Sequence, residues 1–385
     1  GPGDASRSAE VRRTARRLVA GLDSPAARIR AILHRLRALS TKGPGLFELP
    51  FDRAFTAPDR VLAEGYGSYP DRMNLLYAML EAAGFDCAFV LVADDSHGFR
   101  GTEGEWRRVP RPGRFDTLAV RATWRSGWIP FMRDEAEFWI SNDNEYARPE
   151  ASSRFGDGYY DPQADAFGRI RPAAGATNEV SRADNFCRLD VRENGAVDFE
   201  VVNRTYGYTV SGLRRKYAEL LPEMRVRHYQ KLLGDIAQNA TATGELETDV
   251  EGYPFTLSFK AYAEGYAVAK GDSLRVAIPD FAGKVFGVDG ARRRTPVAVN
   301  GQSEVVETYE IVLPEDYTEI ESMPEPFRIV NPLDRTETWV AHDVSHRIED
   351  GRLHVTVRRR VRRETATLLA PEYAPFLDAR HRRAA

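Results

Sequence analysis

Two cysteines, Cys87 and Cys187, are all that this chain of 385 residues carries, which excludes a disulfide framework. A single bridge between them and two buried free thiols both stay open. No apolar run reaches the roughly 20 residues that cross a bilayer as a helix, so no membrane span is expected. An excess of one charge sign is also lacking. The formal net charge of −3 gives no pull toward nucleic acid or an anionic membrane. Basic runs such as Arg292-Arg293-Arg294 and Arg358-Arg359-Arg360 are balanced by acidic residues elsewhere. No glycine-rich phosphate cradle is present, and no cofactor is expected. Histidine is missing over the longest stretch: none lies between His97 and His228.

What is there is globular material, 42% hydrophobic and 29% charged, long enough for two or three domains. Residues 8–40 read as two amphipathic helices, with Val11, Ala15, Leu18, Val19 and Leu22 on one face of the first. Ile29, Ile32, Leu33, Leu36 and Leu39 line the second. Ser24 and Pro25 suit an N-cap and first turn. Pro58 opens a short helix through Leu62. A third long helix starts near Pro70, with Asp71 in its first turn, Met73, Leu76, Tyr77 and Leu80 inward, and Gly84 as its stop. Cys87 to Val92 is a buried strand by its continuous apolar run. Segment 116–131 supplies one or two strands, 136–141 another, and 147–183 reads as a long connection.

From about 186 the pattern becomes one of short alternating segments: 187–191, 196–202, 255–262, 273–278, 296–299, 305–312, 337–348 and 352–362. That is a β-sandwich signature. Gly212 to Ile236 reads as one long helical insertion (about 212–237) within it. The expected fold is α+β, a mixed core over 8–183 followed by an all-β domain over 184–385.

Residues 65–92, from Gly65-Tyr66-Gly67-Ser68-Tyr69-Pro70-Asp71-Arg72 to Leu91-Val92, resemble the core of transglutaminase-like, papain-type thiol enzymes. Paired helices, the Phe55/Ala57/Pro58 loop and the Ala82-Ala83-Gly84 helix end follow the same order. The later stretches Arg294-Thr295-Pro296-Val297, Glu307 to Pro314, Ile320 to Pro324 and Pro371-Glu372-Tyr373 resemble the β-domain that follows this core in a three-part bacterial family. The resemblance implies that the family's N-terminal β-domain is missing here, and a periplasmic or cell-surface location. The opening Gly1-Pro2-Gly3 reads as a remnant of tag removal, so the lack of a signal peptide says nothing.

Carried over by position, the family's Cys-His-Asp triad is absent. Tyr69 stands where the thiol opens the helix, Thr117 where the histidine belongs, and Ser141 where the orienting Asp belongs, with Asp143 two residues on. A thiolate needs a helix N-terminus and an imidazole. A phenol titrating near about 10 replaces it only with a strong base. The resemblance therefore implies a pseudoenzyme: a core that binds a peptide, protein or glycan without thiol catalysis. Its groove would be lined by Ser68, Tyr69, Trp106, Trp128, Trp139 and Asp143, although the tryptophans read more readily as core filling.

The rival reading is a hydrolase or acyltransferase of peptidase, amidase or glycosidase type. It would use Ser68 or carboxylates among Asp134, Glu135, Glu137, Asp143 and Glu145. Ser68 reads otherwise as an N-cap, and those carboxylates as solvated loop charge. His342, His346 and His354 fall on a hairpin turning near Glu349-Asp350-Gly351, where a zinc site would need a further ligand. Arg358 to Arg363 alternate with valines and read as a solvated strand face.

Overall fold

The computed structural model describes residues 8–42, 55–93, 115–126, 134–141, 146, 148–149, 158–171, 181–207, 209–279, 297–299, 303–331, 337–363, 366–368 and 371. The chain divides into two compact units, Gly1–Glu179 and Val180–Ala385. The mixture is α+β, with six described helices and more sheet than helix.

The first unit runs α1 (Ala9–Val19), α2 (Pro25–Arg37), β1 (Ser40–Thr41), α3 (Pro58–Glu64), β2 (Tyr66–Gly67), α4 (Tyr69–Ala82), β3 (Asp86–Ala93), β4 (Phe115–Ser126), β5 (Asp134–Ser141), β6 (Gly158–Asp161) and β7 (Ala166–Arg169). Helix α1 buries Val11, Ala15 and Val19, and α2 buries Ile29, Ile32, Leu33 and Leu36. Their apolar stripes recur at the helical period and can be covered only by another layer. That layer is α4, in which every residue from Pro70 to Leu80 is buried. Gly84 follows its C-cap with φ +97, a left-handed value that a side chain resists.

Strands β3 to β7 form one antiparallel sheet in the order β5-β4-β3-β6-β7. Cys87, Leu118, Val120, Ala122, Phe138 and Ile140 pack with the helices in one core. Val90, Val92, Ala119 and Trp139 form a second cluster with Ile170 on the opposite side, as strand alternation requires. The hairpin of β6 and β7 lies inside the stretch read as a connection. Its strands, four residues each, are too short to show an alternating pattern. A tilted contact of the Tyr160 and Phe167 rings, centroids 4.8 Å apart, supports them.

The second unit runs β8 (Ser181–Val191), β9 (Val197–Tyr206), α5 (Thr209–Ala218), α6 (Pro222–Ile236), β10 (Thr241–Ala242), β11 (Glu247–Asp249), β12 (Phe255–Ala263), β13 (Val268–Lys270), β14 (Ser273–Arg275), β15 (Val297–Val299), β16 (Ser303–Val312), β17 (Phe327–Val330), β18 (Thr338–Glu349), β19 (Arg352–Arg363) and β20 (Ala366–Leu368). In place of the two packed sheets expected of a sandwich, the described residues carry a nine-stranded sheet in the order β10-β12-β9-β8-β16-β19-β18-β17, with β11 on β12, and two small two-stranded sheets, β13-β14 and β15-β20. Val210, Tyr217, Leu233 and Ile236 of the helices close the core over that sheet. The helical insertion is two helices rather than one, because Pro222 cannot continue a helix but fits the first turn of the next.

Only part of the arginine run on β19 faces solvent. Arg358 is exposed, while Arg359 shares the face of Val357 and Val361 and lies 4.0 Å from the buried Glu307. Of the hairpin histidines, His342 is buried against the Phe327 ring, His346 is exposed, and His354 Nδ1 lies 3.7 Å from Glu310 Oε1. Among the described residues no group of three or more His, Cys, Asp or Glu is arranged to hold a metal.

Candidate functional site

The start of α4 is the place where the sequence puts its chemistry, and every side chain there is engaged. Gly67 precedes it because a Cβ would press on Val61 Cγ1 and Asp71 Cβ, at 3.1 and 3.2 Å. Ser68 is the N-cap. Its hydroxyl donates to Asp71 Oδ2 at 2.6 Å and accepts from the Asp71 amide at 3.4 Å. The Ser68 amide donates to the same carboxylate oxygen at 3.1 Å, closing a capping box. The Thr56 amide donates to Asp71 Oδ1 at 2.7 Å, so one carboxylate ties the 55–57 segment to the helix. Next along, the buried Arg72 donates to the Leu36 carbonyl at 3.1 Å and to the Thr41 hydroxyl.

Burial alone would raise the pKa of Asp71; the Ser68 hydroxyl and the amides of Thr56 and Ser68 outweigh it and hold the carboxyl below its ordinary range. A carboxylate so stabilised is a weak base, and its partner hydroxyl is buried. Neither property suits a serine nucleophile. A folded value below the unfolded one near about 3.9 means the stabilisation is complete above about pH 4 and fades as pH falls through the folded value. The gap in unfolding free energy between the native protein and Asp71→Asn is therefore expected to narrow in urea titrations as pH drops below about 4.

Tyr69 lies half-buried against the helical core, and its phenol donates to the Leu118 carbonyl of β4 at 2.6 Å. The phenol thus spans from the helix start to the sheet. Tyr69→Phe is expected to cost about 1 kcal/mol, measured by urea unfolding, because the Leu118 carbonyl loses this donor.

The other two triad positions do not join it. Thr117 pairs with Val92, and Ser141 pairs with Ala119. Val92 and Ala119 belong to the cluster on the far side of the sheet, so both hydroxyls stand on the face away from α4. Trp139 is on that far face too, its ring 4.7 Å from Tyr159, buried, with an indole N–H that meets no acceptor among the described residues. It shares no wall with Tyr69. Trp106, Trp128 and Asp143 lie outside the described residues. Ser68 and Tyr69 are brought together; Thr117, Trp139 and Ser141 form a separate group.

Asp161 and Arg121 escaped the sequence reading. Arg121 Nη2 meets Asp161 Oδ2 at 2.8 Å, and Asp161 Oδ1 accepts from the amides of Gln163 and Ala164 at 2.9 and 3.1 Å. The one signal that could have found Asp161 is Asp-Pro-Gln-Ala-Asp, a turn-forming run in which a carboxylate caps the following amides.

Cys87 and Cys187 are free and buried, and burial pushes both thiols up, with Glu81 and Asp86 adding to the effect at Cys87. The Cys87 sulfur points at the Phe85 carbonyl, 3.9 Å away, and the Cys187 sulfur at the Arg188 carbonyl, 4.0 Å away. These are core thiols held in the less reactive form.

No protein-family model matches this chain, and no curated protein matches it in sequence. Among solved structures, it is similar to a protein of Parabacteroides distasonis described as a "putative protease", at 14% identity and a TM-score of 0.49. The likeness covers 97% of this chain and 53% of that one, so this chain spans about half the length of its neighbour. A TM-score at that level carries no argument about fold or activity.

Proposed function

We propose that this chain is a catalytically inactive relative of transglutaminase-like enzymes, acting as a binding or scaffolding module for a peptide, protein or glycan. In this reading the first unit is a papain-type core without its triad, and the second is a β-domain that packs or docks. Both would belong to the periplasm or the cell surface.

One observation carries the proposal. At the helix start, where the family resemblance puts a thiol, Ser68 is locked in a capping box and Tyr69 is bonded to a backbone carbonyl. Groups committed to holding a helix and a strand together are poorly placed to attack a substrate, since a nucleophile needs a free lone pair and a base. The placement of Thr117 and Ser141 on the other sheet face supports the same reading.

Mass spectrometry of the intact protein after treatment with a fluorophosphonate and with iodoacetamide tests the loss of catalysis. No adduct is expected on Ser68, Cys87 or Cys187 while the protein stays folded. A stoichiometric adduct at any of them, or turnover of a glutaminyl peptide that disappears in Ser68→Ala, would return the protein to the enzymes. Peptide and glycan arrays then test the binding half, with loss of the signal expected in Tyr69→Ala.

A further inference from the structure

Helix α1 packs on α2, α3 and α4 and buries Val11, Thr14, Ala15 and Val19. The rest of its surface is mostly arginine. Arg12, Arg13, Arg16 and Arg17 are all exposed, and at 100° per residue they spread over about 140° of the helix circumference. Among these four, Arg13 is answered by Glu10, one turn earlier. Arg12, Arg16 and Arg17 meet no carboxylate among the described residues.

The helix itself gains little from this arrangement. Arg12 with Arg16, and Arg13 with Arg17, are like-charge pairs four residues apart, a spacing that destabilises a helix. The helix dipole favours Arg16 and Arg17 in the last turn and opposes Arg12 near the first. Residues 9–37 hold eight arginines and no lysine against two carboxylates, Glu10 and Asp23. The net charge of −3 for the whole chain conceals this local excess. Screening decides which of the two a partner feels. At physiological salt the Debye length is about 8 Å, half the roughly 16 Å length of α1. A surface touching α1 therefore meets the arginines rather than the net charge.

We propose that the outer face of α1 is a docking surface for a bilayer of anionic phospholipid. What accompanies the arginines selects the occupant. The other exposed residues of this helix and its end are Ala9, Glu10 and Ala20, with no aromatic or large apolar side chain among them. A protein interface is anchored by such side chains at its centre, and a single-stranded nucleic acid needs rings to stack on. Duplex phosphates stand in fixed rows. Lipid headgroups are mobile and gather under cations whose Cβ atoms lie about 5–6 Å apart, with no spacing of their own to match. A second copy presenting the same face would be repelled. The surface lies in the first unit and does not depend on the reading of Tyr69.

Co-sedimentation of the full chain with phosphatidylglycerol vesicles, and with phosphatidylcholine vesicles, tests this. Binding is expected to the first and not to the second. It is expected to vanish at about 1 M salt, where the Debye length falls to about 3 Å. An arginine near an anionic surface raises partitioning about fivefold, so Arg16→Gln is expected to weaken binding about fivefold and Arg12→Gln with Arg16→Gln about 25-fold. Glutamine is nearly as good a helix former as arginine, so α1 is expected to stay folded in both. Arg12→Lys with Arg16→Lys keeps the charge and is expected to bind as the native chain does. Arg275→Gln makes the single-charge change at an exposed position of the second unit and is expected to leave binding unchanged. No binding to phosphatidylglycerol at low salt, undiminished binding by the double glutamine variant, or an equal loss in Arg275→Gln would each overturn the proposal. Displacement from the vesicles by a DNA duplex at equal phosphate concentration would assign the face to nucleic acid instead. Sedimentation without vesicles would assign it to self-association.

Discussion

Asp71→Ala is expected to destabilise the first unit by about 3 kcal/mol, read as a lower urea midpoint with an unchanged slope. The single carboxylate accepts from the Ser68 amide, the Ser68 hydroxyl and the Thr56 amide. Removing a helix cap alone costs about 1 kcal/mol. The rest comes from donors left unpaired in a buried place, where a lost partner costs more than the bond contributed. Asp71→Asn is expected to recover only part, because an amide nitrogen cannot accept from Ser68. A cost below about 0.5 kcal/mol for Asp71→Ala would mean that water serves these donors. The helix start would then be open, which undercuts the picture of a site closed by its own side chains.

Leu80→Ala is expected to cost about 4 kcal/mol. Helix α4 is covered on every side: Leu75, Leu76, Met79 and Leu80 have at most 1% exposure. Truncation there leaves a cavity between helices and sheet that neither layer can close without moving the other. The same substitution at the exposed Leu221 of the second unit is expected to change stability by less than about 0.5 kcal/mol, a control for the difference between burial and composition. Thermal and urea unfolding of both variants would measure this. Similar losses at the two positions would contradict the described layering.

Helix α4 and strand β3 were legible because their signals are local. The Ser68-x-x-Asp71 pattern caps the helix, Gly84 ends it with a backbone angle that suits glycine, and the apolar run from Cys87 to Val92 follows. The long strands β8, β9, β12 and β16 of the second unit were legible because they alternate between a buried and an open face; the short strands β10, β11, β13, β17 and β20 were not read. Faces in the first sheet were not legible. Residues of β3 are buried on both sides, Cys87 with the helices and Val90 with Trp139, so no alternation marks which side meets α4. That is why Trp139 read as a companion of Tyr69 and the register of β4 and β5 places it elsewhere. Arg359 was hidden in the same way, since one cation within an arginine run is singled out only by the Glu307 that stands across from it.

The sequence by itself determined the helices of the first unit and the longer strands, the missing histidines between residues 97 and 228 and the tyrosine at the helix start, because these depend on residue identity and on periods of a few residues. Tertiary structure alone decided that Tyr69 reaches the Leu118 carbonyl and that Thr117 and Ser141 turn away from it. Each of these is a pairing between residues far apart in the chain. Registers of that kind are fixed by the collective packing of two faces, which no local pattern encodes.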